Sequence, residues 1–209
     1  MDTKTVEYAG KEWVWPAYDE KLLQVNDWAD DIDLILSHVS DFSACIQAGG
    51  ACGIWPWMLS VEFQEVYTFE PDLINFECLI ANTGGVSNII SENAALSDKE
   101  GVCNIVRDAF EKQNCGAGYM VPSSEGVPTR TIDSLELNSC GLIQLDVEGF
   151  EGEALTGGIE TLRTYRPVVV VEEKPLPHAP GKEGNARKIL KGLGYKEVAQ
   201  IHRDVIFVC

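Results

Sequence analysis

A glycine-rich bend after a short apolar run is the feature of this sequence that most restricts its fold. Residues 44–48 are predicted to form a buried strand, and a helix is predicted to begin near Trp55. Between them lie Gly49, Gly50 and Gly53, which allow a tight turn and a close approach of the backbone to a ligand. The spacing is not Gly-x-Gly-x-x-Gly and no P-loop lysine follows, so the bend favours a nucleoside ligand without a phosphate chain.

A carboxylate follows at the distance expected for an acid that binds ribose. The second predicted strand, 65–70, ends in Glu70, about 20 residues past the glycines, where a doubly wound fold places such an acid. The glycines alone are equally consistent with an ordinary turn between a strand and a helix. The bend and the acid together predict a nucleoside-containing cofactor.

Strands and helices alternate along most of the chain. Further strands are predicted over 88–94, 142–149 and 166–173, a closing hairpin over 195–209, and helices over 28–39, 55–63, 72–81, 151–162 and 185–193. Pro71 opens the helix at 72–81. This order predicts an α/β fold with a mostly parallel sheet, helices on both faces and a C-terminal antiparallel hairpin.

One globular domain is expected over residues 44–209, preceded by an N-terminal extension and covering helix over 1–43. In the extension, Trp13 and Trp15 are interpreted as packing anchors or as a lid over a substrate. Residues 99–140 give the weakest signal: a short strand is predicted over 101–106, a loop over 108–119 and an extended piece over 129–135.

Charge and cysteine usage limit the partners and the compartment. The formal net charge of −17 disfavours nucleic acid and anionic membranes as partners, because both would be repelled. No signal-peptide pattern and no run of about 18 apolar residues occurs. The seven cysteines form no Cys-x-x-Cys pair, which predicts reduced thiols and a cytoplasmic location. Oligomeric state is not predicted.

Acidic residues crowd the ends of two predicted strands. Asp146 and Glu148 follow one strand, and Glu172 and Glu173 end the next. Because the carboxyl ends of parallel strands meet at one edge, four carboxylates are expected together, which requires a cation, a proton or hydrogen-bond donors. One or two of them could instead cap a helix, as Glu151 would.

The residues resemble the FkbM family of methyltransferases. The resemblance covers roughly 44–173 and is most specific at Leu145-Asp-Val-Glu-Gly-Phe-Glu-Gly-Glu-Ala-Leu155 and Arg166-Pro-Val-Val-Val-Val-Glu172. Phe69-Glu-Pro71, with Asn75 and Asn82, and Ala95-Leu-Ser-Asp98 are similar to family motifs in the expected order. The resemblance implies a Rossmann-like class I methyltransferase fold with a seven-stranded sheet and S-adenosylmethionine bound along its strand ends.

The resemblance also implies roles for individual residues. Glu70 would bind the ribose hydroxyls and Asp146 would stand near the methyl group. The other positions implied for the cofactor are Gln47, Gly49 and Gly53 at the methionine end, Asn93, Ala94 and Ala95 beside the adenine, and also Gly50 and Pro71. The sequence departs from the family pattern at Gln47, Ala51 and Gln144, where aspartate, asparagine and lysine are usual.

Transfer of a methyl group to oxygen requires removal of the hydroxyl proton, by a base or with the help of a metal. The candidate bases are Asp146 and His178, whereas His38 and His202 are interpreted as structural. Asp146, Glu172 and Glu173 are the candidate ligands for Mg²⁺.

The predicted function is methylation of a hydroxyl on a small molecule or carbohydrate. Two alternatives are a nucleotide-dependent oxidoreductase on a related sheet and a catalytically silent module that binds S-adenosylmethionine. The departures at Gln47 and Gln144 motivate the silent module.

Overall fold

A seven-stranded sheet forms the centre of the molecule. The computed structural model describes residues 2–20, 28–107, 113–173, 181–182 and 184–209. The strands are β1 (Thr3–Tyr8), β2 (Lys11–Pro16), β3 (Ala44–Ala48), β4 (Glu65–Phe69), β5 (Ile89–Glu92), β6 (Ala95–Leu96), β7 (Gly101–Arg107), β8 (Gly118–Pro122), β9 (Val127–Arg130), β10 (Leu142–Leu145), β11 (Val168–Glu172), β12 (Lys196–Ile201) and β13 (Asp204–Val208). The helices are α1 (Trp28–Leu36), α2 (Ile54–Leu59), α3 (Leu73–Thr83), α4 (Glu151–Thr156), α5 (Ile159–Tyr165) and α6 (Asn185–Gly192), with a 3₁₀ turn at Asp133–Leu135. Among the described residues, every helix is too short or too polar to cross a bilayer.

The large sheet has the strand order β12-β13-β11-β10-β3-β4-β5. The five strands from β11 to β5 pair in parallel, and β13 and β12 continue the sheet as an antiparallel hairpin. The apolar β-branched run at 168–171 is fully buried in β11, as expected for a parallel strand covered on both faces. The predicted fold class is therefore confirmed.

Neighbouring residues of the central strands belong to different cores. Ile143 of β10 packs in one cluster with Leu155 of α4, whereas the preceding Leu142 packs in another with Ile35 of α1. Successive side chains of a strand point to opposite faces of the sheet. Helices therefore cover both faces and leave the carboxyl ends of the parallel strands as the place for a ligand.

The β1–β2 hairpin is attached to the end of α3 by one buried amide. Asn82 Oδ1 accepts a hydrogen bond from the Val14 N–H at 2.7 Å, and Asn82 Nδ2 donates to the carbonyls of Val14 and Cys52 at 2.9 and 2.8 Å. Trp13 is fully buried beside it. The hairpin thus packs against the wall of the domain.

A second sheet, of order β6-β9-β7-β8, occupies the region that the sequence left least defined. The predicted short strand at 101–106 is present as β7, but β8 and the first half of β9 were not predicted. The extended piece expected over 129–135 ends at Arg130 and gives way to the 3₁₀ turn. Of the loop expected over 108–119, residues 108–112 lie outside the described residues.

Two predicted elements differ from the structure for clear physical reasons. The third strand ends at Glu92 rather than at residue 94, because the Asn93 side chain donates to the carbonyls of Glu70 and Pro71. The single helix expected over 151–162 is two helices, α4 and α5, interrupted at Gly157 and Gly158. A β-carbon on Gly157 would lie 2.1 Å from the Ser97 carbonyl oxygen, so the chain approaches too closely there for any other residue.

Candidate active site

A cavity of about 460 Å³ lies at the carboxyl ends of the parallel strands. Its lining follows the strand order from Ala94 and Ala95 beyond β5 to Glu70 and Pro71 after β4, Gly49 and Gly50 after β3, Asp146 after β10 and Glu172 at the end of β11. Pockets for small ligands have volumes of about 300–1,000 Å³, so the cavity is of the size that holds a small ligand.

The glycine bend is held at both neighbouring strand ends. The N–H groups of Gly49 and Gly50 both donate to the Phe69 carbonyl, at 3.1 and 3.0 Å. Gly49 has φ 83°, and a β-carbon on it would lie 1.9 Å from the Asp146 carbonyl oxygen. Glycine is therefore required there both by conformation and by space, and the bend presents bare backbone to the cavity.

Glu70 is only 5% exposed, and its carboxylate fixes the loops on either side of it. Its Oε2 accepts a hydrogen bond from the Ala51 N–H at 2.7 Å, and its Oε1 accepts one from the Asp72 N–H at 2.8 Å. Burial raises the pKa of Glu70 to about 7, although these two hydrogen bonds favour its ionised form. A carboxylate has about four acceptor positions, and the Asn75 side chain also donates to this one, so at least one position remains for a hydroxyl of a ligand.

Beside Glu70, Asp72 ties three parts of the chain together. It caps α3 by accepting hydrogen bonds from the N–H groups of Ile74 and Asn75, at 2.9 and 3.2 Å. Arg107 of β7 makes a bidentate ion pair with the same carboxylate, with contacts of 2.7 to 3.1 Å. The Arg107 guanidinium also lies 4.7 Å from the centre of the Tyr18 ring. This contact joins the N-terminal segment and the small sheet to the rim of the cavity.

Three residues predicted to contact the cofactor lie behind the cavity wall and do not line it: Gln47, Gly53 and Asn93. Gln47 is fully buried, accepts a hydrogen bond from the Thr68 hydroxyl at 2.6 Å and donates to the Gly49 carbonyl at 3.1 Å. Gly53 begins α2 with φ 95° and packs against α3. These contacts make Gln47 and Gly53 supports of the glycine bend and Asn93 a support of the β4 end.

The far end of the cavity is acidic. Ligand oxygens of Asp146, Glu148 and Glu172 all lie within 4.8 Å of one another. Glu173 is not part of this group: successive residues of a strand face opposite sides, and Glu173 makes an ion pair with Arg187 at 3.2 Å. Of the three predicted metal ligands, Asp146 and Glu172 thus lie together with Glu148, whereas Glu173 lies apart from them.

Glu151 shapes the loop that carries these acids. It is 7% exposed, and its Oε1 accepts hydrogen bonds from the N–H groups of Val147 and Gly149, at 3.1 and 3.3 Å. Burial raises the pKa of Glu151 to about 7. Glu151, predicted to cap a helix, therefore fixes the loop between β10 and α4 through these hydrogen bonds.

Several lining residues come from parts of the chain that lie outside the predicted strand ends, and of these the sequence singled out only Trp15, as a packing anchor or a lid, and His202, as structural. These lining residues are Trp15 and Asp19 near the N-terminal hairpin, Cys115 and Met120 near the small sheet, and His202 and Arg203 in the β12–β13 turn. Only the fold brings these distant segments together. His202, interpreted as structural, thus lies at the cavity, and the candidate base His178 lies outside the described residues.

The fold is that of the Rossmann-like methyltransferases. A SAM-dependent methyltransferase from Aquifex aeolicus matches with a TM-score of 0.51 at 12% identity, covering 91% of this chain and 92% of that one. The N-methyltransferase NodS from Bradyrhizobium japonicum WM9 matches with a TM-score of 0.50 at 13% identity, covering 91% of this chain and 96% of that one. At such identities the likeness concerns the fold alone.

The family follows from the sequence. The family model of the methyltransferase FkbM domain matches residues 63–197, well over half of the chain, so the chain belongs to the FkbM methyltransferase domain family. The methyltransferase FkbM from Methylobacillus flagellatus KT matches with a TM-score of 0.55 at 17% identity over 81% of this chain. The chain spans only 44% of the length of that structure. No curated protein matches the sequence. The predicted family is confirmed.

Proposed function

We propose that the protein transfers the methyl group of S-adenosylmethionine to a hydroxyl oxygen of a small-molecule or carbohydrate acceptor. The observation that carries the proposal is the arrangement of the bare Gly49-Gly50 bend, the Glu70 carboxylate and Asp146 along adjacent strand ends of one cavity, in a domain of the FkbM family. The proposal includes a cytoplasmic location, which the seven free cysteines support.

In this proposal the cofactor lies across the strand ends. Ala94, Ala95 and Pro71 contact the adenine, and Glu70 accepts hydrogen bonds from the ribose hydroxyls. The bend at Gly49 and Gly50 presents its backbone to the methionine part. A β-carbon on Gly49 would collide with the Asp146 backbone, and one on Gly50 would collide with Leu79 and Thr68, so a larger residue would displace the bend. The methyl group then lies near Asp146.

Methyl transfer is an in-line displacement. The acceptor oxygen attacks the methyl carbon, the C–O bond forms, the C–S bond breaks, and the sulfur keeps the electron pair and becomes a neutral thioether. The hydroxyl proton passes to the carboxylate of Asp146, which is exposed to the cavity and can release it to water. The protein mainly positions the two reactants and stabilises the charge.

In an alternative version of the proposal, the predicted Mg²⁺ compensates the charge of the carboxylates, with Asp146, Glu148 and Glu172 as its ligands. Three carboxylates are hard oxygen ligands of the kind that suit this ion. Bound Mg²⁺ would lower the pKa of an acceptor hydroxyl. Titration of the protein with Mg²⁺ tests this part of the proposal separately from the rest.

Binding of S-adenosylhomocysteine, measured by calorimetry, is the first test. We expect one site per chain and no binding of a nicotinamide dinucleotide; the reverse result would favour the oxidoreductase alternative. Incubation with a methyl-labelled cofactor and a metabolite extract then tests turnover. Binding without any labelled product would favour the silent module.

A further inference from the structure

Gln144 is a buried polar side chain whose oxygen has no hydrogen-bond partner. The residue lies in β10, is 2% exposed and lines the cavity. Within the described part of the chain, nothing donates a hydrogen bond to its Oε1. A buried acceptor without a donor costs free energy, and such atoms in folded proteins are rare. The position therefore calls for a donor from a ligand.

The cavity that Gln144 lines is rich in carboxylates. Gln144 and Asp146 are two residues apart and face the same side of the sheet, and Asp146 lies in the group with Glu148 and Glu172. Ionised carboxylates only accept hydrogen bonds. The cavity lining contains seven acidic residues in its described part: Asp19, Glu70, Asp72, Asp146, Glu148, Glu172 and Asp204. In the same described part, Arg203 is the one lysine or arginine that lines the cavity. Its side chain is 67% exposed and lies 4.0 Å from Glu172.

The cofactor proposed above does not reach all of these groups. It extends from β5 over β4 and β3 to the methyl group at Asp146, and the sheet continues beyond that point with β11 and β13. Glu172 and the β12–β13 turn lie at this continuation, on the far side of Asp146 from the adenine. This end of the cavity is therefore left for the acceptor.

We propose that the methyl acceptor carries a protonated amine, which is bound by the carboxylates of Glu148 and Glu172 and by the amide oxygen of Gln144. An ammonium group has three donors and a positive charge, so it can donate to the Gln144 oxygen and form ion pairs with the carboxylates at once. The acceptor class is thus an amino alcohol or amino sugar, whose nearby hydroxyl is presented to the methyl group. This inference rests on the proposed function and specifies its substrate class.

Matched pairs of compounds test the inference. The protein is first saturated with S-adenosylhomocysteine and then titrated with ethanolamine, serinol and glucosamine, each beside its neutral N-acetyl derivative. We expect at least one amine to bind about tenfold or more tightly than its partner, since hydrogen bonds to charged groups are the stronger ones. Equal affinities within every pair, or no binding of any amine, would overturn the inference. Failure of S-adenosylhomocysteine to bind would overturn the proposed function instead.

Three variants test whether the amine binds at the acidic end of the cavity. Glu148→Gln, Glu172→Gln and Gln144→Leu should each weaken amine binding by about tenfold while the affinity for S-adenosylhomocysteine stays the same. The control is Glu160→Gln in α5, whose carboxylate is 71% exposed and paired with Arg163, and it should change neither affinity. Amine binding that is as strong in all three site variants as in the control would show that the amine binds elsewhere and would refute the assignment.

Discussion

At the scale of single residues, Glu70 has two roles, and one substitution should affect both. Its carboxylate accepts hydrogen bonds from Ala51 and Asp72 and, in the proposed function, also binds the ribose. We expect Glu70→Ala to weaken binding of S-adenosylhomocysteine by at least about tenfold. It should also lower the free energy of unfolding by about 1–3 kcal/mol for each backbone N–H left without its acceptor. Calorimetric titration and urea denaturation measure the two effects.

Glu92→Ala is the matched control for this prediction. Glu92 ends the neighbouring strand β5 but pairs with Arg130 and does not line the cavity. The control should bind S-adenosylhomocysteine as tightly as the unaltered protein does. Unchanged affinity in Glu70→Ala would show that the ribose is placed wrongly.

The buried carboxyl of Glu151 predicts a pH dependence of stability. Its pKa is about 7 in the folded protein and close to 4.5 when exposed, so the folded state holds its proton more tightly. The contribution of Glu151 to the free energy of unfolding is therefore fully present below its pKa in the unfolded chain. It is lost as the pH rises from about 4.5 through about 7, by about 3 kcal/mol at most.

The variant Glu151→Gln tests whether stability falls with rising pH because of this carboxyl, since an amide keeps an acceptor oxygen for the loop and does not ionise. Relative to the unaltered protein, it should be more stable at about pH 8 and similar at about pH 5. Urea denaturation at the two pH values measures the difference, and Glu160→Gln on the surface serves as the control. A difference that is the same at both pH values would contradict the argument.

At the scale of elements, the interruption between α4 and α5 depends on the space at Gly157. Its φ is −72°, so any residue could adopt the conformation, but a β-carbon would collide with the Ser97 carbonyl. Gly157→Ala should lower the free energy of unfolding by about 1–3 kcal/mol or more, as other overpacked sites do. Gly192→Ala in α6 is the matched control, since nothing lies within 4 Å of its β-carbon position. That control should be neutral or stabilising by up to about 1 kcal/mol in the same denaturation measurement.

Elements whose stability is local could be predicted from the sequence. The four valines at 168–171 favour only a buried strand, and the glycines at 49–53 restrict the chain to a tight bend. The small sheet could not be predicted in the same way. Its strand β9 is short, contains Pro128, and pairs with β6, which lies about 30 residues earlier in the chain. Such a pairing depends on tertiary contacts that no local pattern encodes.

The same distinction between local and tertiary signals applies to the residues of the candidate site. Glu70 and Asp146 follow strands directly, so their convergence on one edge follows from the parallel sheet. By contrast, Trp15 and Met120 reach the cavity from separate sheets, and the burial of Gln47 depends on its hydrogen bond to Thr68 across the neighbouring strand. Side-chain direction at these positions is decided by packing between elements, which the sequence does not display.

At the scale of the whole molecule, the acidic end of the cavity contributes to the net charge of −17 that the chain carries. Two cations could compensate the carboxylates of Asp146, Glu148 and Glu172: Mg²⁺ or the ammonium group of the acceptor. The two hypotheses predict opposite results when chelator-treated protein, saturated with S-adenosylhomocysteine, is titrated with MgCl₂. If the ammonium is the natural occupant, Mg²⁺ should bind more weakly than the amine does, because a site built for an ammonium lacks the octahedral geometry that Mg²⁺ requires before it loses its waters. Tighter binding that Glu172→Gln abolishes and Glu160→Gln preserves would instead assign the three carboxylates to a metal, and the amine would then have to be held elsewhere.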